Sequence, residues 1–151
     1  MTKPPPPEDP LAFQVFNEIG IIEQLARTAF ERVLPEGLTL LGFQVLNHFV
    51  RLGGAQTPSG LARAFQVSKA AMTFTLQRLE ARGYITLDPD PADGRGKRVT
   101  LTAAGAAVRH QAIAALAPLL GAMEEEVREA DLTALLPGLR RLRTYLDTHR
   151  A

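Results

Sequence analysis

Residues 57–101 read TPSGLARAFQVSKAAMTFTLQRLEARGYITLDPDPADGRGKRVTL. Thr57-Pro58 places a hydroxyl at a helix N-cap and a proline at the first helical position, opening a short helix through Phe65 that buries Leu61, Ala62 and Phe65. Gln66-Val67 forms a turn, and Ser68 caps a second helix in which Met72, Leu76 and Leu79 repeat at helical spacing until Gly83 stops it. Tyr84–Leu87 then reads as a strand, DPDPADGRG as a turn-rich connection and Lys97–Leu101 as a returning strand with alternating apolar residues. A short helix, a tight turn, a second helix with one polar face and a two-stranded hairpin make a winged helix-turn-helix.

In such a unit the second helix fits the major groove, so one side needs apolar anchors and the other needs small or hydrogen-bonding groups. With Met72, Leu76 and Leu79 turned inward, Lys69, Ala70, Thr73, Phe74 and Gln77 fall near the opposite side, with Ser68 and Arg78 at its ends. The hairpin tip, Asp93-Gly94-Arg95-Gly96-Lys97-Arg98, gathers three positive charges on a glycine-loosened loop suited to close approach to DNA. Arg95 is the candidate for a narrow minor groove, oriented by Asp93 through a charge-assisted hydrogen bond. The candidate DNA-binding residues are therefore Ser68, Lys69, Ala70, Thr73, Phe74, Gln77, Arg78, Asp93, Arg95, Lys97 and Arg98.

Outward from this unit the chain reads as helix. Leu11–Leu34 carries an apolar stripe too wide for one neighbour to cover, from Val15, Phe16, Ile19 and Ile22 to Phe30 and Val33. Thr39 caps a helix from Leu40 to Arg51 with Phe43, Leu46, Val50 and Leu52 expected inward, and Gly53-Gly54 ends it. Thr102 caps a long helix bearing Val108, Ile113, Leu116, Leu119, Leu120, Met123 and Val127. A last helix begins near Asp131 as its cap, with Leu132, Leu135, Leu136, Leu139, Leu142, Tyr145 and Leu146. Pro118 and Pro137 are expected to kink or interrupt these two helices.

Composition bounds the function. A 151-residue chain suits one ordinary domain, and no apolar run approaches the roughly 20 residues of a membrane span. MTKPPPPEDP lacks the apolar stretch of a signal peptide, which points to the cytoplasm, and its prolines favour an extended, disordered tail over residues 1–10. The absence of cysteine excludes disulfides, thiolate metal ligands and thiol redox switches. His48, His110 and His149 are scattered without metal-ligand spacing, and no nucleophile motif, phosphate loop or dinucleotide fingerprint appears, so neither an enzyme nor a cofactor is expected. The net charge of +1 hides an uneven distribution: residues 56–102 hold seven Lys/Arg against four acidic residues.

LTLLGFQVL (38–46), TPSGLARAFQVSKAAMTFTLQRLEARGYI (57–85) and DGRGKRVTLTAAG (93–105) together resemble the multiple antibiotic resistance regulator (MarR) family of bacterial transcription factors. The resemblance implies a mostly α fold with a small β-wing. It divides residues 11–151 into a winged-helix lobe at about 38–102 and dimerisation helices at about 11–34 and 103–149. It also implies an obligate homodimer, a pseudo-palindromic double-stranded DNA operator, repression, and release by a small aromatic or amphipathic ligand. Ser68–Leu79 matches the recognition helix and Arg95 the wing-tip arginine. Phe74 stands where the family usually has arginine or another polar residue, Leu87 and Asp88 where it is often basic, and Gly94 replaces a common basic residue. These departures imply fewer phosphate contacts. Phe16, Ile19, Phe43, His48 and Phe49 lie on helices that could border an effector cavity, but core packing is the better reading of each. The competing function is a winged helix that docks proteins, to which Phe74 and the modest charge lend support and against which the cationic wing argues.

Overall fold

A computed structural model describes residues 8–92, 94 and 96–150. It contains, in order, α1 (Leu11–Glu31), α2 (Leu40–Leu52), α3 (Pro58–Phe65), α4 (Lys69–Ala81), β1 (Ile85–Pro89), β2 (Lys97–Leu101), α5 (Ala103–Glu126) and α6 (Glu129–Thr148). The chain divides into two compact units, Met1–Ala115 and Leu116–Ala151. The tail expected over residues 1–10 lies outside the described residues up to Pro7. At its end, Gln14 Nε2 donates to the Asp9 carbonyl, and the Gln14 N–H donates to the Pro10 carbonyl as α1 begins.

The helix starts follow from side-chain hydroxyls that satisfy otherwise unpaired N–H groups. Thr39 accepts from the Gly42 N–H, Thr57 from Gly60, Ser68 from Ala71 and Thr102 from Gly105, each at 3.0–3.1 Å. The last helix departs from expectation: Arg128 is its N-cap, and Asp131 lies within the first turn, where its carboxylate pairs with the Arg128 guanidinium. An acid there still complements the positive helix end, so Asp131 marks the terminus without being the cap. The expected interruptions do not occur, since α5 runs through Pro118 and α6 through Pro137. Each proline removes one backbone donor, and the turns on either side carry the helix on.

The core of the first unit is made by Val45, Leu46 and Phe49 of α2, Leu61 and Ala62 of α3, Met72, Leu76 and Leu79 of α4, Ile85 and Val99 of the hairpin, and Val108 and Ala112 of α5. Burying each of the larger aliphatic side chains stabilises the fold by about 1.5–3 kcal/mol. On α2 the inward set corrects the expected one, because Val50 and Leu52 are exposed while Val45 and Phe49 are buried. This helix is apolar on several sides, and the row 42, 45, 46, 49 takes the core. Phe43 and Phe65 pack only partly buried against it.

β1 and β2 pair antiparallel in the register Ile85↔Leu101 and Leu87↔Val99; β1 begins one residue after the start expected at Tyr84 and ends two residues after the end expected at Leu87. Gln56 adds a single bridge to the outer edge of β2, exchanging both backbone hydrogen bonds with Val99. The segment before α3 is thereby tied to the hairpin, a non-local pairing that no local pattern announces.

Candidate nucleic-acid interface

The turn between α3 and α4 is set by Gln66, the one described non-glycine residue at positive φ (53°). Its side-chain amide donates to the Arg63 carbonyl at 2.7 Å, and the Val67 N–H returns to the Ala62 carbonyl at 3.0 Å. These bonds offset the steric cost of the left-handed backbone and fix where α4 leaves the turn. At the other end of α4 the Gly83 N–H donates to the Glu80 carbonyl and the Tyr84 N–H to Leu79, with Gly83 at φ 76°. This double closure terminates the helix and aims the chain into β1.

Between these fixed ends α4 has two unlike sides. Met72, Leu76 and Leu79 are buried as expected, joined by Thr75, which the apolar spacing did not single out. Ser68, Lys69, Ala70, Thr73, Phe74, Gln77 and Arg78 are all exposed. Ser68 is also the cap, so its hydroxyl is engaged by the Ala71 N–H. The first turn carries no acid, which leaves the positive end of the helix dipole to Lys69 and to any anion that approaches. The Arg78 guanidinium carbon lies 5.6 Å from the centroid of the Phe74 ring, one helical turn away.

On the hairpin, Lys97 and Arg98 are exposed, whereas Asp93 and Arg95 lie outside the described residues. Arg98 is partly committed within the protein. Its Nε stands 3.9 Å from an Asp90 carboxylate oxygen, and Asp88 is its cross-strand neighbour. Asp90 in turn accepts the Ala92 N–H at 3.0 Å, and its own N–H donates to Gly96, closing the base of the connection. Two acids thus temper the charge of the wing.

One hydrogen bond braces the hairpin from within, and two more hold the segments that flank and edge it. Thr86 and Thr100 hydroxyls bond across the strands, the Thr102 hydroxyl donates to the Gly83 carbonyl at 2.6 Å, and Gln56 Nε2 lies 2.9 Å from His48 Nε2. The His48 ring also packs against Phe65, with centroids 5.3 Å apart. Of the residues considered for an effector cavity, Phe49 is buried in the core, Phe43 packs against it, and Phe16 on α1 is exposed. Among the described residues no group of three His, Asp or Glu could hold a metal ion, and no helix is long and apolar enough to cross a membrane.

A sequence profile of the MarR family matches residues 36–96, from the turn before α2 to the wing. The multiple antibiotic resistance protein MarR of Salmonella typhimurium is 35% identical over 105 residues, covering 64% of this chain and 72% of that protein. The chain belongs to the MarR family. Among solved structures, this MarR-family chain is similar to the transcriptional regulator BldR of Sulfolobus solfataricus, with a TM-score of 0.75 at 26% identity over 89% of this chain and 95% of that one. It is also similar to BpsR of Bordetella bronchiseptica, whose DNA binding is regulated by 6-hydroxynicotinic acid, with a TM-score of 0.69 at 25% identity over 86% and 98% of the two chains. The fold is that of a winged-helix transcriptional regulator, and α3–α4 with β1–β2 form the winged helix-turn-helix of this MarR-family protein.

Proposed function

We propose that this MarR-family regulator is a cytoplasmic repressor that binds a pseudo-palindromic duplex as a homodimer, with α4 in the major groove and the wing against the neighbouring backbone and minor groove. The observation that carries this reading is the division of α4: its candidate contact residues are all in the open, while its anchors are sealed into the core. Ala70, Thr73 and Gln77 offer base-edge contacts, Lys69 and Lys97 offer phosphate contacts, and Arg95 supplies the minor-groove arginine. Dimerisation is supported by apolar side chains that a single chain leaves in water, including Leu11, Phe13, Ile22 and Leu25 on α1 and Leu135, Leu136 and Leu146 on α6. Residues 11–34 and 103–149 are the proposed pairing helices, with residues 38–102 as the DNA-binding lobe. A small aromatic or amphipathic effector is proposed to release the DNA, as 6-hydroxynicotinic acid regulates the related BpsR.

A gel-shift titration against the DNA upstream of the protein's own coding sequence tests this. The expected result is a discrete complex that Arg95→Ala weakens by about 1–3 kcal/mol. No shift on that DNA or on a random duplex pool would favour a protein-docking winged helix instead.

A further inference from the structure

Phe74 is 60% exposed, on a helix whose other large apolar side chains, Met72, Leu76 and Leu79, are all buried. It lies one turn after Ala70 and beside Thr73 and Gln77. This stretch of the helix surface therefore offers a methyl group, a threonine and an aromatic ring before it offers an amide. Its charges, Lys69 and Arg78, stand at the margins. Arg78 is placed over the ring, 5.6 Å from its centroid, so the ring is steadied from its C-terminal side and keeps its remaining surface open.

A bare ring at such a position gains nothing from phosphates and cannot hydrogen-bond a base edge. In the major groove the apolar group that bases project is the C5 methyl of a pyrimidine, and contact with that methyl is the readout open to phenylalanine. We propose that Phe74 is a specificity-determining residue of this regulator: its ring packs on a pyrimidine 5-methyl group, with Arg78 holding it in place. The inference rests on α4 entering the major groove as proposed above, and it accounts for an exposed ring where a polar side chain would serve phosphate contacts better.

The methyl can come from thymine or from 5-methylcytosine, and base substitution distinguishes the two. Duplexes are first enriched by the wild-type protein from a random-sequence pool. In the best of them each thymine is replaced singly by deoxyuridine, which removes only the methyl, and each cytosine singly by 5-methylcytosine, which adds one. Affinities are then measured for wild type, Phe74→Leu and Phe74→Ala. Because residue 74 is largely solvent-exposed, all three should melt alike.

At one or more thymines, wild type is expected to lose about fourfold in affinity per methyl removed, or at a cytosine to gain a similar factor per methyl added. Phe74→Leu keeps this dependence and Phe74→Ala abolishes it. Methyl dependence at no position, or equal dependence in wild type and Phe74→Ala, overturns the inference while leaving DNA binding intact. A wild-type protein that enriches no duplex overturns the proposed function, and the role of Phe74 falls with it.

Discussion

A methyl group at position 105 would have nowhere to go. The Cβ of an alanine there would lie 2.0 Å from the Tyr84 carbonyl oxygen, because the first turn of α5 passes directly over the start of the hairpin. The obstacle is backbone, held by the Thr102 N–H bonded to that same oxygen, so neither side can yield alone. Gly105→Ala should destabilise the fold by about 1–3 kcal/mol, read as a lower midpoint in urea. Gly37 makes a useful comparison. It sits at φ 79°, and an added Cβ would meet only the end of the Arg82 side chain, which donates to the Glu36 carbonyl at 3.2 Å. Gly37→Ala should therefore cost mainly the left-handed penalty of about 1–2 kcal/mol. Arg82→Ala should recover only what the contact with its side chain adds to that penalty, a non-additivity that a double-mutant cycle measures.

At the scale of single elements, α4 and the hairpin separate stability from binding. Thr73→Ala and Gln77→Ala, both on the exposed side, should leave the unfolding free energy measured in urea within about 0.5 kcal/mol of wild type while weakening DNA binding. Leu76→Ala, at 1% exposure, should cost about 2–5 kcal/mol of stability. The hairpin predicts a charge effect of its own. Asp90→Asn keeps an oxygen for the Ala92 N–H but releases Arg98 from its ion pair, so the slope of log affinity against log salt should steepen by about 0.9. An unchanged slope would mean that Arg98 does not reach phosphate. These elements were largely legible in the sequence because their signals are local: hydroxyl caps at Thr39, Thr57, Ser68 and Thr102, a glycine stop at Gly83, and three anchors at helical spacing. What misled was ambiguity within a local signal. Asp131 suits both a cap and a first turn, and α2 has apolar residues on several sides, so spacing alone could not choose Val45 and Phe49 over Val50 and Leu52. What was invisible was non-local, as in the Gln56 bridge to Val99 and the Asp90 partner of Arg98, each made by residues distant in sequence or with no pattern between them. For the candidate site, the anchors sufficed to orient α4, since fixing one side of a helix fixes the other. Asp93 and Arg95 lie outside the described residues, so the tip of the wing rests on sequence alone.

For the whole molecule the decisive quantity is the apolar surface that one chain cannot cover. Leu25 on α1 is 69% exposed and Leu146 on α6 is 51% exposed, so charging both leaves the chain's own core untouched. If these helices pair with a second copy, wild type should sediment at twice its 16.4 kDa mass, and its melting temperature should rise with protein concentration. The double variant Leu25→Glu/Leu146→Glu should sediment at the single-chain mass with a melting temperature independent of concentration. Its affinity for a full two-half-site duplex should fall by about 10²–10⁴-fold, because each recognition helix then binds without the effective concentration that its partner confers. Its affinity for an isolated half-site should stay the same, since α4 and the hairpin belong to a core that includes neither substituted residue. That last comparison separates loss of pairing from loss of fold. A variant that loses half-site binding as well has been damaged in the winged helix, whereas one that keeps full-site affinity shows that the two half-sites are not bound by helices joined through these faces.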